Sequence, residues 1–297
     1  MSTGVSMRSV APASAEILLV DGLAVTRRVR PDADPSRPVV ILIHGAMDRA
    51  ASFGRVMRRL PELETITYDR RGYGGSNGAP LAARGSLVGS GTIASHGEDL
   101  RTVMHHALES SPTPGRVRES VLVGHSLGGI VALWLASRND PDVVGVGAFE
   151  SPAPWLDDSF DTVGGGALDI AERQGDSEAG EYFYRMMIGE ETFSRLRERD
   201  VAARRSEGHA LVGELRSLRD PAQAFDLSTV KVPVVVGSGT ASSQRMQGSA
   251  RLMASAIPGA VEVRITDSGH GAHLTRPEAF ANYVRECVSQ AATHVAG

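Results

Sequence analysis

Ser120-Val121-Leu122-Val123-Gly124-His125-Ser126-Leu127-Gly128-Gly129 is the stretch that decides how this chain is read. A short β-branched run stops at a serine flanked by glycines. An apolar run of helical character (Ile130, Val131, Leu133, Trp134, Leu135, Ala136) follows at once. G-x-S-x-G between a strand and a helix describes a tight turn that lifts a serine hydroxyl above a sheet. The glycines have a steric reason. The serine takes a strained backbone conformation, and a side chain at either flank would meet the neighbouring strand and helix.

Outward from that turn, strand-like and helix-like runs alternate, which predicts an α/β fold with a mostly parallel central sheet flanked by helices. Ile17–Val20 and Leu23–Arg30 read as an opening hairpin around Asp21-Gly22. Val39–Ile43 ends at His44-Gly45 and Thr65–Tyr68 ends at Asp69, both as buried-type strands. Residues 79–94 are Gly/Ser/Ala-rich and read as a loop, after which Ser95 and Glu98 form a capping box for a helix carrying Leu100, Val103, Met104, Ala107 and Leu108. Val143–Phe149, Val232–Val236 and Val261–Thr266 are the later strands. The last helix opens with Thr275-x-Pro277-Glu278 and buries Phe280, Tyr283, Val284, Cys287 and Val288, so Cys287 is core filler.

Residues 152–229 break the alternation, with helical patterns and no convincing strand. They hold Trp155, Phe160, Tyr182, Phe183, Tyr184, Phe193 and Phe225, half of the chain's 14 aromatics. A helical cap over one end of the sheet would place them as the roof of an apolar pocket, with Trp155 and Tyr182 as candidate substrate-binding residues. The expected organisation is a flexible tail over 1–16, a core over 17–151 and 230–297, and the cap over 152–229.

The 297 residues are 41% hydrophobic with a net charge of −4, which suits a globular chain with no basic excess for nucleic acid or an anionic membrane. One cysteine cannot form an internal disulfide, so a cytoplasmic location is expected. Residues 1–16 lack the continuous apolar segment of a signal peptide. No apolar run is long enough to span a bilayer.

A serine hydroxyl needs a base within reach and a third group to orient that base. Ser268-Gly269-His270-Gly271-Ala272-His273 follows the last strand. His270 is the candidate base, because it lies closer to the strand end than its rival His273 and has no bulky neighbours.

At this point the chain resembles the α/β-hydrolase fold serine hydrolases, from about residue 17 to 292. The matching pieces are Ile41-Leu42-Ile43-His44-Gly45-Ala46, Tyr68-Asp69-Arg70-Arg71-Gly72-Tyr73-Gly74-Gly75-Ser76, the Gly124–Gly129 turn, and Gly269-His270 followed by His273-Leu274 and Pro277-Glu278. The resemblance implies that the His44-Gly45 turn is an oxyanion-hole loop, with the backbone N–H groups of Ala46 and Leu127 as donors and Met47 lining the acyl pocket. It implies that Asp69 and Arg70 are scaffold. Many relatives carry the triad acid after the strand matching Val232–Val236, yet no Asp or Glu occurs from Gly237 to Ala260, and Thr240 stands about where it would be. Some branches place the acid one strand after the nucleophile, which implies Glu150 here. Asp157 and Asp158 are less constrained alternatives.

The other histidines receive structural readings: His96, His105 and His106 belong to the capped helix and its start, and His125 packs locally. No His/Asp/Glu spacing suggests a metal, and the Walker-type phosphate loop is absent. The expectation is a cofactor-independent serine hydrolase of a carboxylic ester, thioester or lactone, acting through Ser126, His270 and Glu150. The rival readings are a C–C bond hydrolase, an acyltransferase, an aminopeptidase, or a non-catalytic binding module. The expected partner is a small-molecule acyl substrate, with no nucleic acid or membrane, and a homodimer is left open.

Overall fold

The structure is a computed structural model, and it describes residues 14–30, 33–78, 91–156 and 163–295. Its strands are β1 (Ser14–Val20), β2 (Leu23–Val29), β3 (Val39–Ile43), β4 (Thr65–Tyr68), β5 (Ser120–His125), β6 (Val143–Phe149), β7 (Val234–Gly239) and β8 (Val261–Ile265). They form one sheet in the order β1-β2-β4-β3-β5-β6-β7-β8. The pairs β1/β2 and β2/β4 are antiparallel, and β4 through β8 run parallel. Strands β3, β4 and β5 are buried at every residue, which is why they lack the apolar/polar alternation of a half-exposed strand.

Side-chain alternation divides β3 between two layers. Val39, Ile41 and Ile43 join Leu122 and the helices α2 (Ile93–Glu109) and α3 (Leu127–Ala136) on one face. Val40 and Leu42 join Val121, Val123 and the last helix on the other. That second layer is built from Val56 and Met57 of the short α1 (Gly54–Met57) and from Phe280, Tyr283, Val284 and Cys287 of α11 (Pro277–Val295). Each fully buried aliphatic or phenyl side chain here contributes about 1.5–3 kcal/mol. Cys287 is buried, and burial raises its thiol pKa, as suits core filler.

Three elements shift by two or more residues from the sequence reading, and β7 is one, spanning Val234–Gly239 rather than Val232–Val236. The hairpin strand begins at Ser14 rather than Ile17. Helix α2 starts one turn before Ser95: Thr92 is its N-cap, accepting the Ser95 N–H, and the Ser95 hydroxyl donates back to the Thr92 carbonyl. Thr92, three residues ahead of Ser95, is the residue type that caps a helix at this point. Residues 79–90 of the expected loop, and Asp157, Asp158 and Phe160, lie outside the described residues.

Between β6 and β7 the described residues contain helices and no strand: α4 (Val163–Gln174), α5 (Asp176–Ile188), α6 (Glu190–Phe193), α7 (Glu198–Ser206) and α8 (Gly208–Arg219). α9 (Gln244–Ala256) and α10 (Ala272–Thr275) complete the set. β3 lies between β4 and β5, so the strand order turns there. Loops leaving the carboxyl ends of neighbouring parallel strands at such a point border a crevice. No helix among the described residues is long and apolar enough to cross a membrane.

Candidate active site

β5 delivers its chain into Ser126 at φ 53°, ψ −127°, a conformation that costs a non-glycine residue on the order of 1–3 kcal/mol. Two backbone bonds hold it. The Ser126 N–H donates to the Phe149 carbonyl (2.8 Å), and the Gly129 N–H donates to the Ser126 carbonyl (2.9 Å), opening α3. The flanking glycines are required by close approach. A Cβ on Gly124 would lie 2.2 Å from the Gly128 carbonyl, and one on Gly128 would lie 2.2 Å from the Ile43 carbonyl oxygen.

β6 ends in Glu150, which also has a positive φ of 46° and donates its N–H to the Gly237 carbonyl (2.9 Å). Its carboxylate Oε2 lies 2.9 Å from His270 Nδ1. An ionised carboxylate only accepts, so the imidazole donates from Nδ1 and Nε2 is left for proton exchange. Oε1 accepts from the Gly239 N–H (2.8 Å) and from the Ser242 hydroxyl. Burial works to raise the Glu150 pKa, but the hydrogen bonds from His270, Ser242 and Gly239 outweigh it and hold the carboxyl below its ordinary value. The acid-free segment from the last residue of β7 into the loop beyond it therefore serves Glu150 as a set of donors. Thr240 faces elsewhere, accepting the Asp267 N–H at its hydroxyl (3.0 Å).

His125 does more than pack locally. Its Nε2 lies 2.8 Å from the His270 carbonyl oxygen, so Nε2 carries the proton and anchors the loop that bears His270. Its ring lies between those of His270 and His273, at centroid separations of 4.5 and 4.2 Å. Burial, with the neighbouring His273 and His270, pushes its pKa well below the ordinary value. His273, the rival base, meets Asp48 rather than Glu150. It is buried with Nε2 3.2 Å from Asp48 Oδ2.

The loop after β3 shows what the scaffold reading of Arg70 missed. Arg70 is fully buried and donates from Nε to the His44 carbonyl (3.0 Å) and from Nη2 to the Gly45 carbonyl (2.9 Å). His44 Nδ1 donates to the same Gly45 carbonyl (2.8 Å), and its Nε2 accepts the Arg70 N–H (2.9 Å). Both nitrogens are thereby assigned to one neutral tautomer, and burial holds the His44 pKa down at about 3. In a trans peptide the C=O and the following N–H point in opposite directions. Pinning the Gly45 carbonyl toward Arg70 therefore turns the Ala46 N–H the other way. Arg70 is in turn balanced by Glu214 of α8, which it contacts at Nη1. Glu214 also accepts the Tyr73 hydroxyl (2.8 Å) and lies 2.9 Å from His96 Nε2. Burial opposes ionisation of Glu214, yet Arg70 and His96 hold its pKa at about 2.

Gly45, Ala46, Met47, Ser126, Leu127, Glu150 and His270 all border one cavity of about 300 Å³. Leu127 is the first residue of α3, where a helix leaves N–H groups without intrahelical partners. The far wall comes from the helices between β6 and β7: Phe183, Tyr184, Met187 and Ile188 of α5, Arg204 of α7, and Leu215 and Leu218 of α8. Met47, from the loop after β3, also lines the cavity. Trp155 and Tyr182 are not among the lining residues. Trp155 packs against Phe225 (centroids 5.2 Å apart) over the main core, and Tyr182 packs toward α4, where its hydroxyl would lie 2.6 Å from a Cβ on Gly166. The reason for Tyr182 is helical phase. Residues 183, 184, 187 and 188 share a stripe, and 182 lies to one side of it.

Residues 40–283 match the model of the alpha/beta hydrolase family, and the chain belongs to it. It is 23% identical over 271 residues to a 2-succinyl-6-hydroxy-2,4-cyclohexadiene-1-carboxylate synthase of Serratia proteamaculans (strain 568), covering 87% of this chain and 96% of that protein. An enol-lactonase from Burkholderia xenovorans LB400 superposes with a TM-score of 0.64 at 20% identity, covering 92% of this chain and all of that one. A thermophilic esterase from Thermogutta terrifontis superposes at 0.65 with 20% identity, covering 94% and 99%. Both superpositions speak to the shared fold.

Proposed function

We propose that this protein is a serine hydrolase that cleaves a carboxylic ester, thioester or lactone through a Ser126-His270-Glu150 triad and an acyl-enzyme. The observation that carries the reading is the 2.9 Å bond from His270 Nδ1 to the Glu150 carboxylate at the wall of the cavity that Ser126 also lines. His270 Nε2 takes the Ser126 proton as Oγ attacks the acyl carbonyl. The tetrahedral oxyanion is held by the N–H groups of Ala46 and Leu127. The imidazolium then protonates the leaving oxygen or sulfur; the neutral imidazole next takes a proton from the attacking water and returns it to Ser126 Oγ as the acyl-enzyme breaks down. Glu150 holds the tautomer and offsets the charge that His270 gains.

The apolar stripe of α5 supports an acyl group of aliphatic or aromatic character on the wall opposite the serine. The test joins fluorophosphonate labelling to turnover of a chromogenic acyl-ester series. The expected result is labelling of wild type, none of Ser126→Ala, and turnover of at least one ester. A labelled serine with no turnover of any ester, thioester or lactone would favour C–C bond cleavage, acyl transfer, peptide cleavage or ligand binding alone.

A further inference from the structure

Asp48 in the loop after β3, His125 at the end of β5 and His273 in α10 converge beside the candidate triad. One donor atom from each lies within 4.8 Å of the other two. The Asp48 Oδ2 to His273 Nε2 separation is 3.2 Å, close to the edge of a tetrahedron of donors about 2.0–2.1 Å from one ion. The tautomer of His125 is already settled. Its Nε2–H is given to the His270 carbonyl, which leaves Nδ1 as a lone pair. Metal-binding histidines commonly hold their second nitrogen on a backbone carbonyl in this way.

His125 Nδ1 is buried and has no hydrogen-bond partner, on a residue 5% exposed. It faces the loop that carries Asp48, since a Cβ on Gly45 would lie 3.2 Å from it. His273 is 2% exposed, and its Nδ1 is likewise buried and unpartnered. The unpartnered Nδ1 of His125 is costly to bury, and a ligand there relieves that cost. All three residues border the cavity, which supplies an entry path and an open coordination position.

The geometry points to a site for a divalent transition metal of the zinc class, held by Asp48 Oδ2, His125 Nδ1 and His273 Nε2. Two imidazoles and one carboxylate are the donors that zinc takes at tetrahedral sites with one position open. His125 offers its Nδ1 lone pair in the tautomer it already holds. His273 binds as neutral imidazole once its proton moves from Nε2 to Nδ1. The other group of three, His105, Asp140 and Asp142, is half-exposed and already carries Arg101 and Arg118 on its carboxylates (3.3 and 2.9 Å). An occupied Asp48 site sets a cation one imidazole away from His270. Resting on the hydrolase reading, the metal-bound enzyme turns over esters more slowly, because positive charge opposes the imidazolium that His270 must become.

Equilibrium dialysis of the full chain against zinc alone, with metal content measured directly, tests the site. Wild type, Ser126→Ala, His270→Ala and His105→Ala are expected to hold one zinc per chain with unchanged affinity. Asp48→Asn and His273→Gln are expected to lose about tenfold or more in affinity while keeping the wild-type melting temperature within a few degrees. Cobalt in place of zinc should show the intense visible bands of four- or five-coordination. The proposal is overturned if wild type retains no zinc, or if zinc binding survives in Asp48→Asn and His273→Gln and disappears in His270→Ala or His105→Ala. Binding is measured without substrate, so failure of the hydrolase reading leaves this result unaffected.

Discussion

The cavity has two carboxylate–imidazole pairs on its wall, and they are built in opposite senses. In Glu150–His270 the carboxylate side chain is 0% exposed and the imidazole 17% exposed. In Asp48–His273 the imidazole is 2% exposed and the carboxylate 23% exposed. A buried carboxylate behind a presented imidazole leaves Nε2 free to move a proton at the cavity. A buried imidazole behind a presented carboxylate offers an oxygen acceptor and cannot shuttle. The same two groups at similar distance therefore divide into a candidate base and a candidate ligand set, and the side that faces the cavity decides which.

The strongest break of that comparison is to exchange the histidines' importance. His270→Ala is expected to lower kcat by roughly 10³-fold or more, and His273→Ala to be mild, measured on one chromogenic ester. The reverse ranking would make Asp48–His273 the working pair. Glu150→Gln is expected to cost about 10³-fold in kcat with little change in melting temperature, because it removes the tautomer lock and the compensating charge. Thr240→Ala should be nearly silent, since its hydroxyl serves the Asp267 turn.

Glu214→Gln tests the support behind the Ala46 N–H. Leaving Arg70 buried without its counter-charge is expected to cost about 3–5 kcal/mol in urea unfolding. A drop in kcat with KM little changed would show that the loop after β3 has lost its aim as well.

Acid should separate the contributions further. His44 and His96 are held below the ordinary imidazole value of 6.5 by burial, so the unfolded chain takes up protons that the folded chain refuses. Stability should therefore fall as pH drops below about 6.5. Glu214 has its pKa lowered from 4.5 to about 2, so its contribution is present above 4.5 and lost as pH falls toward 2. Urea melts across pH should show both windows, and Glu214→Gln should flatten the lower one and, by removing the charge that favours His96 protonation, deepen the upper one.

The smallest effect concerns the far wall. Phe183→Ala should shift relative kcat/KM across acyl lengths, whereas Trp155→Ala should lower stability and leave the ranking unchanged. A changed ranking in Trp155→Ala would return that side chain to the pocket.

The fold was legible because its signals are local. Apolar runs of strand length, the G-x-S-x-G turn and the capped helices each lie within a few residues of themselves, and a strand buried on both faces has little freedom to read otherwise. Ser126, His270 and Glu150 could be nominated because each follows a strand end, and strand ends of a parallel sheet meet at one edge. The start of α2 reads a turn late in the sequence because two capping patterns share Ser95, Thr92 to Ser95 and Ser95 to Glu98.

What the chain could not announce depends on long-range contact. Arg70 reaching Glu214 spans 144 positions, and His273 reaching Asp48 spans 225. No spacing rule covers such separations, because the partners are joined by the sheet and its helices rather than by the run of the chain. Phase on α5 is the same lesson at short range. Composition placed seven aromatics in 152–229, but which of them faces the cavity turns on where the helix packs, and that is set by its neighbours. Sequence alone determined the fold class and the residue types available at the strand ends. Tertiary packing decided which imidazole is presented, which is buried, and which carboxylate each one meets, because burial and direction are properties of the assembled layers.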